Sequence, residues 1–149
     1  MIKSKVYIST DKNSYVYCMS EWGNRKHIGL FGGNIDKKET PYDAIVREIA
    51  EESIFTMNVE VSPEYEIVHN KNCTIFLFQG RLISFNKKLF YKRKSIINEV
   101  LKSKGSLTEH DISKLHFLES DKFTLSRRRI KIYNEVDDII VTDKFFRIV

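Results

Sequence analysis

The chain has 149 residues, 42% of them apolar and 30% charged, which is enough to bury the core of one soluble domain spanning residues 1–149. No apolar run nears the roughly 20 residues that cross a bilayer, and the opening Met-Ile-Lys-Ser-Lys-Val-Tyr-Ile lacks the apolar stretch of a signal peptide. A net charge of +5 points to anionic partners.

In chain order, residues 6–9 and 15–20 read as strands joined by the turn signal Asp11-Lys12-Asn13. Cys18 and Cys73 both sit in strand-like runs and read as buried free thiols, so a reducing, cytoplasmic setting is expected. Residues 27–31 form a short apolar segment leading into Gly32-Gly33, where the backbone can take positive φ or approach a ligand closely. A helix follows. Thr40 is a favourable N-cap, Pro41 fits the first helical position, and Asp43 suits the electropositive first turn. Tyr42, Ile45, Val46, Ile49 and Ser53 recur at helical spacing and predict the buried stripe.

The same helix concentrates acid. Glu48, Glu51 and Glu52 fall at i, i+3 and i+4, on one face at the edge of that stripe. Like charges so placed repel, and a hard divalent cation with oxygen ligands relieves them. Arg47 stands one turn before Glu51 and is placed to reach back to Glu39. The full spacing is Gly33-x5-Glu39-x7-Arg47-Glu48-Ile49-x-Glu51-Glu52-x-Ile54-Phe55. It resembles the Nudix box, Gly-x5-Glu-x7-Arg-Glu-U-x-Glu-Glu-x-Gly-U, where U is bulky and apolar. All charged positions match, as do Ile49 and Phe55, and the departure is Ile54 in place of glycine. A glycine there supplies a left-handed cap that costs a β-branched residue more, so the helix is expected to end differently, running on toward Asn58.

The resemblance implies a Nudix-type α/β/α sandwich around a mixed β-sheet. It also implies an enzyme that uses Mg²⁺ or Mn²⁺ to hydrolyse a nucleoside diphosphate linked to another moiety. Glu48 and Glu52 would then be the principal metal ligands, with Glu51 a third ligand or a support behind them, and the Gly32 carbonyl a further ligand. Arg47 would pair with Glu39 and, with Gly33, keep loop and helix in register.

Beyond the box, residues 58–61, 65–69 and 74–82 read as strands, the last apolar enough for a central position buried on both faces. Phe90, Ile96, Ile97, Val100 and Leu101 give residues 90–104 helical spacing, stopping at Gly105. A second helix is expected over 123–136 and a terminal strand over 139–141.

In the family a general base often comes from a later loop. Glu109 is the choice here, with His110 competing through its near-neutral pKa and Glu119 and Asp121 behind them. Lys87, Lys88, Lys92, Arg93 and Lys94 form one basic segment, and Arg127, Arg128, Arg129 and Lys131 another. Each reads either as a solvated face or as a track for substrate phosphates, capped RNA among them. Trp22, Tyr15, Tyr17, Phe85 and Tyr91 are available to stack on a base, while His27, His69 and His116 read as structural. No Cys or His cluster has zinc-ligand spacing. The substrate classes left open are nucleoside triphosphates, dinucleoside polyphosphates, ADP-ribose, inositol pyrophosphates and RNA caps. A Nudix-fold module that binds nucleotide or RNA without cleaving it is the alternative, and a basic RNA-binding domain with a coincidental acidic helix is a third reading.

Overall fold

Strand β1 (Ile2–Ser9) organises the sheet, because its two edges are served by three different partners. On one side it runs parallel to β6 (Cys73–Phe85) along its whole length, from Ile2 against Thr74 to Ser9 against Arg81. Its other pairings are antiparallel and divided. Lys3 to Val6 pair with β4 (Phe31–Asn34), and Ile8 and Ser9 pair with β2 (Tyr15–Trp22). β2 also pairs with β3 (Arg25–Gly29) and with β7 (Lys114–Leu118). β5 (Met57–Asn70) closes the far edge against β6, completing a seven-stranded mixed sheet. A separate parallel pair joins β8 (Phe123–Leu125) to β9 (Phe146–Ile148). The computed structural model describes residues 1–12, 14–22, 25–70, 73–103, 114–118, 123–125 and 146–148. It describes backbone alone at 17–22, 25–29, 70, 98, 100–103 and in the last three of those segments.

Two helices, α1 (Pro41–Glu52) and α2 (Lys87–Ser103), are found among the described residues. α1 begins as its sequence dictates, with the Asp43 N–H donating to Thr40 Oγ1 at 3.1 Å. α2 begins earlier than the apolar spacing alone predicts, because Asn86 Oδ1 accepts from the Leu89 N–H and caps the first turn. Val6, Ile8, Phe31, Ile45, Ile49, Phe78 and Phe90 form one fully or nearly fully buried cluster joining sheet, α1 and α2. Side chains of that size each contribute roughly 2–3 kcal/mol through burial. Ile75 and Leu77 are buried as well, so β6 is covered on both faces. None of the described helices is long and apolar enough to cross a membrane.

Several expectations need correcting. Residues 58–61 and 65–69 belong to one strand, β5, with register shifts at Asn58/Val59 and Val61/Tyr65. Pro63 sits in the second irregularity, where an edge strand tolerates its missing N–H. Gly32 and Gly33 are strand residues of β4, opposite Lys5 and Ser4. Phe123 to Leu125 are strand, since their cross-strand partners in β9 outweigh the weak helical spacing; 126–136 and the expected strand over 139–141 lie outside the described residues. On α1 the buried positions are Ala44, Ile45 and Ile49, followed by Ser53, whereas Tyr42 and Val46 are exposed. The helix is rotated relative to the predicted stripe, which turns Glu48 and Glu52 inward.

The end of α1 departs furthest from expectation. The helix stops at Glu52, and Ile54 (φ 53°) and Phe55 (φ 58°) both adopt left-handed backbone. The Phe55 N–H donates to the Ala50 carbonyl at 2.8 Å and the Ile54 N–H to the Glu51 carbonyl at 3.1 Å. This is the paired hydrogen bonding of a Schellman cap, with isoleucine in the glycine position. Each left-handed non-glycine residue costs about 1–2 kcal/mol. Ile54 is partly buried against the core cluster, and that burial offsets the cost. The chain thus keeps the turn and replaces the residue that eases it.

Candidate active site

The Gly32-Gly33 pair of β4 and the last two turns of α1 face one another. The Gly32 N–H donates to Glu52 Oε1 at 2.7 Å. Glu48 lies over Gly33 so closely that a Cβ on that glycine would stand 2.6 Å from Glu48 Oε1. Gly32 therefore excludes a side chain by its backbone angle, whereas a side chain at Gly33 would displace the carboxylate that the glycine cradles. Gly32 has φ +140°, and a Cβ there would run into the Ser4 carbonyl oxygen and approach Lys5 Cα to 2.8 Å.

Arg47 anchors the acidic side. Its Nε and Nη2 donate to the two oxygens of Glu39, at 2.7 and 3.0 Å, a bidentate pair. Nη1 donates to Glu48 Oε1 at 3.1 Å and Glu51 Oε2 at 3.2 Å, and Nη2 also reaches the Asn34 carbonyl at 3.0 Å. Asp36 lies 3.5 Å from the same guanidinium, and its N–H donates to Glu39. One arginine thus ties the end of β4, the turn after it and α1 together. It faces four carboxylates, with Glu52 alongside, so it offsets only part of their charge.

The electrostatics follow from this arrangement. Burial pushes the Glu48 carboxyl above its usual range, countered in part by Arg47 and Lys5. The hydrogen bonds from Arg47 hold Glu39 below the usual range, and the same bonds raise Arg47 itself. Among the described residues no three acidic, His or Cys side chains are gathered as a metal ion would hold them. Glu51 is 54% exposed and turned to Arg47, while Glu52 is held by the Gly32 amide. The donor set still suits a hard divalent ion. Half-buried Glu48 is disfavoured in its charged form, and the glycine cradle brings it and Glu52 to the same strand as carboxylate oxygens that Mg²⁺ or Mn²⁺ accepts.

Comparison with known structures bears on the architecture. A hydrolase of the NUDIX family from Clostridium perfringens superposes with a TM-score of 0.55 over 95% of this chain and 92% of its own, at 14% identity. The fold is that of the Nudix hydrolases. Weaker matches are the Escherichia coli ORF135 protein and a NUDIX hydrolase from Nitrosomonas europaea. The first has a TM-score of 0.48 at 15% identity, covering 96% of this chain and 86% of its own. The second has a TM-score of 0.44 at 20% identity, covering 57% and 60%. No protein-family model and no curated protein matches the sequence. The sandwich of helices about a mixed sheet is therefore the Nudix α/β/α architecture, with the box on β4 and α1.

Among the other residues considered, Glu109, His110, Glu119, Asp121, Arg127, Arg128 and Arg129 lie outside the described residues. So do the side chains of Cys18, Trp22, Tyr17, His27 and His116, whereas Cys73 is buried and its thiol donates to the Thr74 carbonyl at 3.8 Å. Lys87, Lys88 and Lys92 are exposed on α2, but Arg93 turns to the carbonyls of Ile54 and Phe55. Sequence reasoning missed that contact, and also Asp36 and the Asn34 carbonyl as partners of Arg47. Asp36 stands three residues before Glu39 in a turn, a spacing that could have signalled it.

Replacing Arg47 with Met should lower Tm at pH 7 by roughly 5 °C, because several charge-assisted hydrogen bonds go at once. The Glu39 carboxyl is depressed by Arg47, so its stabilisation exists above the ordinary carboxylate pKa and fades as pH falls through the folded value. The gap in Tm between parent and variant should accordingly narrow on acidification. A gap that stays constant to acid pH would show that Arg47 acts through packing alone.

Proposed function

We propose that this Nudix-fold protein is a metal-dependent hydrolase cleaving a pyrophosphate bond in a nucleoside diphosphate linked to another moiety. The observation carrying the reading is the convergence of Glu48 and Glu52 on the Gly32-Gly33 strand, with Arg47 bound to Glu39 behind them. In this reading Glu48 and Glu52 hold the cation, Glu51 joins them by leaving Arg47, and the Gly32 carbonyl is a further ligand. Mg²⁺ or Mn²⁺, when bound, supplies charge neutralisation for phosphate oxygens and lowers the pKa of coordinated water.

The chain's own residues do the rest. Arg47 fixes the helix against the strand, so the two carboxylates keep their separation while substrate enters. Partial burial of Glu48 limits the water around it, which strengthens its attraction for a cation. Glu109 is the proposed general base, and Arg127, Arg128 and Arg129 are the proposed contacts for substrate phosphates. Substrates proposed are nucleoside triphosphates, dinucleoside polyphosphates, ADP-ribose, inositol pyrophosphates or capped RNA, handled in the cytoplasm.

The test is a hydrolysis panel of those compounds with Mg²⁺ and with Mn²⁺, run beside thermal melts. Turnover of at least one class, abolished by EDTA, is expected. Metal should also stabilise the folded state by RT ln(1 + [M]/Kd), near 2.7 kcal/mol at about a hundredfold excess over Kd, and so raise Tm. A panel with binding but no turnover would favour the non-cleaving alternative, and a melt indifferent to metal would remove the site assignment.

A further inference from the structure

We infer that Arg93 is a positioning residue for the site: from α2 it clamps the left-handed turn after α1 and so sets where Glu52 stands. Its consequence for the metal rests on the hydrolase reading above, whereas the clamp itself does not. Arg93 Nη1 donates to the Ile54 carbonyl at 2.8 Å and to the Phe55 carbonyl at 3.3 Å. Those two residues are the successive left-handed positions, and neither is glycine. Backbone of that kind persists only where the surroundings over-determine it. Ile54 has core packing to hold it, but the Phe55 side chain is 72% exposed. Phe55 is held through its backbone, by its own N–H to Ala50 and by Arg93 at its carbonyl.

A second observation points the same way. The last turn of α1 carries no basic residue of its own, although the C-terminal end of a helix favours a cation. Arg93 supplies that cation from another element. The turn it grips begins two residues after Glu52, with buried Ser53 between, and Glu52 in turn accepts the Gly32 amide. The path from Arg93 to the carboxylate is thus short and continuous: guanidinium, turn carbonyls, final helical turn, Glu52. The strained turn and the external arginine act together in place of a glycine.

The test is a double-mutant cycle with Arg93→Ala, Arg93→Lys, Phe55→Gly and the double variant Phe55→Gly with Arg93→Ala. Each protein is read by Mn²⁺ titration without substrate and by thermal melting. Arg93→Ala should weaken Mn²⁺ binding about 10-fold, the scale on which residues supporting a metal ligand act. Arg93→Lys should recover part of the loss, since an ammonium can serve one carbonyl. With Phe55→Gly in place, the same Arg93→Ala change should cost less than about 3-fold, because glycine takes the left-handed angle unaided. Equal losses in both backgrounds would overturn the inference, as would no loss in either. Failure of the parent protein to bind Mn²⁺ would sink the hydrolase reading and the positioning role with it. The clamp is then judged by melting alone: additive Tm changes in the cycle overturn it, and a smaller Arg93→Ala effect beside Phe55→Gly sustains it.

Discussion

Glu52→Gln should reduce metal-dependent hydrolysis at least 10³-fold while leaving Tm within a degree or two of the parent. The glutamine Oε1 can still accept the Gly32 amide, so the contact that seats the side chain survives. What disappears is the negative charge. A 10³-fold loss corresponds to about 4 kcal/mol of transition-state stabilisation, within the range for removing one preorganised electrostatic group. The measurement is kcat/KM with Mg²⁺ on whichever panel compound the parent hydrolyses, together with a melt. Unchanged turnover by a folded variant would remove Glu52 from the chemistry, and a large drop in Tm would mark it as structural instead.

Two adjacent glycines should respond oppositely to alanine. At Gly32 the added Cβ meets backbone, the Ser4 carbonyl and Lys5 Cα, in a conformation that L side chains rarely adopt. Those backbone atoms cannot swing away, so Gly32→Ala should cost about 3 kcal/mol or more and yield little folded protein. At Gly33 the Cβ meets only the carboxylate of Glu48, the far end of a flexible side chain. Gly33→Ala should therefore fold with a near-normal Tm, displace Glu48, and lose activity about 100-fold. Melting and steady-state kinetics on the two variants decide the matter. A Gly33→Ala protein with full activity would show that Glu48 need not sit where it does.

The legible part of this chain was the local part. Thr40 and Pro41 announced the start of α1 through capping chemistry that depends on immediate neighbours, and the box spacing carried its own charge pairs, Arg47 with Glu39 among them. The apolar run from Thr74 likewise announced a strand buried on both faces. Long-range effects were less visible. Tyr42 and Val46 looked as apolar as Ile45 and Ile49, and only packing against β1 and β4 decides which are covered. The end of α1 was misjudged because propensity disfavours isoleucine at a left-handed angle, whereas core burial and a guanidinium from α2 override it. Nothing near Ile54 in sequence signals Arg93, so the compensation could not be read before the fold was known.

The divided pairing of β1 has a kinetic consequence. Its long parallel edge cannot be satisfied until Thr74 to Arg81 exist, so during synthesis β1 waits while α1 and β5 are made. At about 5–20 residues per second, that wait lasts on the order of several seconds to a quarter of a minute. Closing so distant a pair also carries a large loop-closure cost, which slows refolding from denaturant. The β1 edge is therefore the place where a nascent or unfolded chain is open to the wrong partner strand.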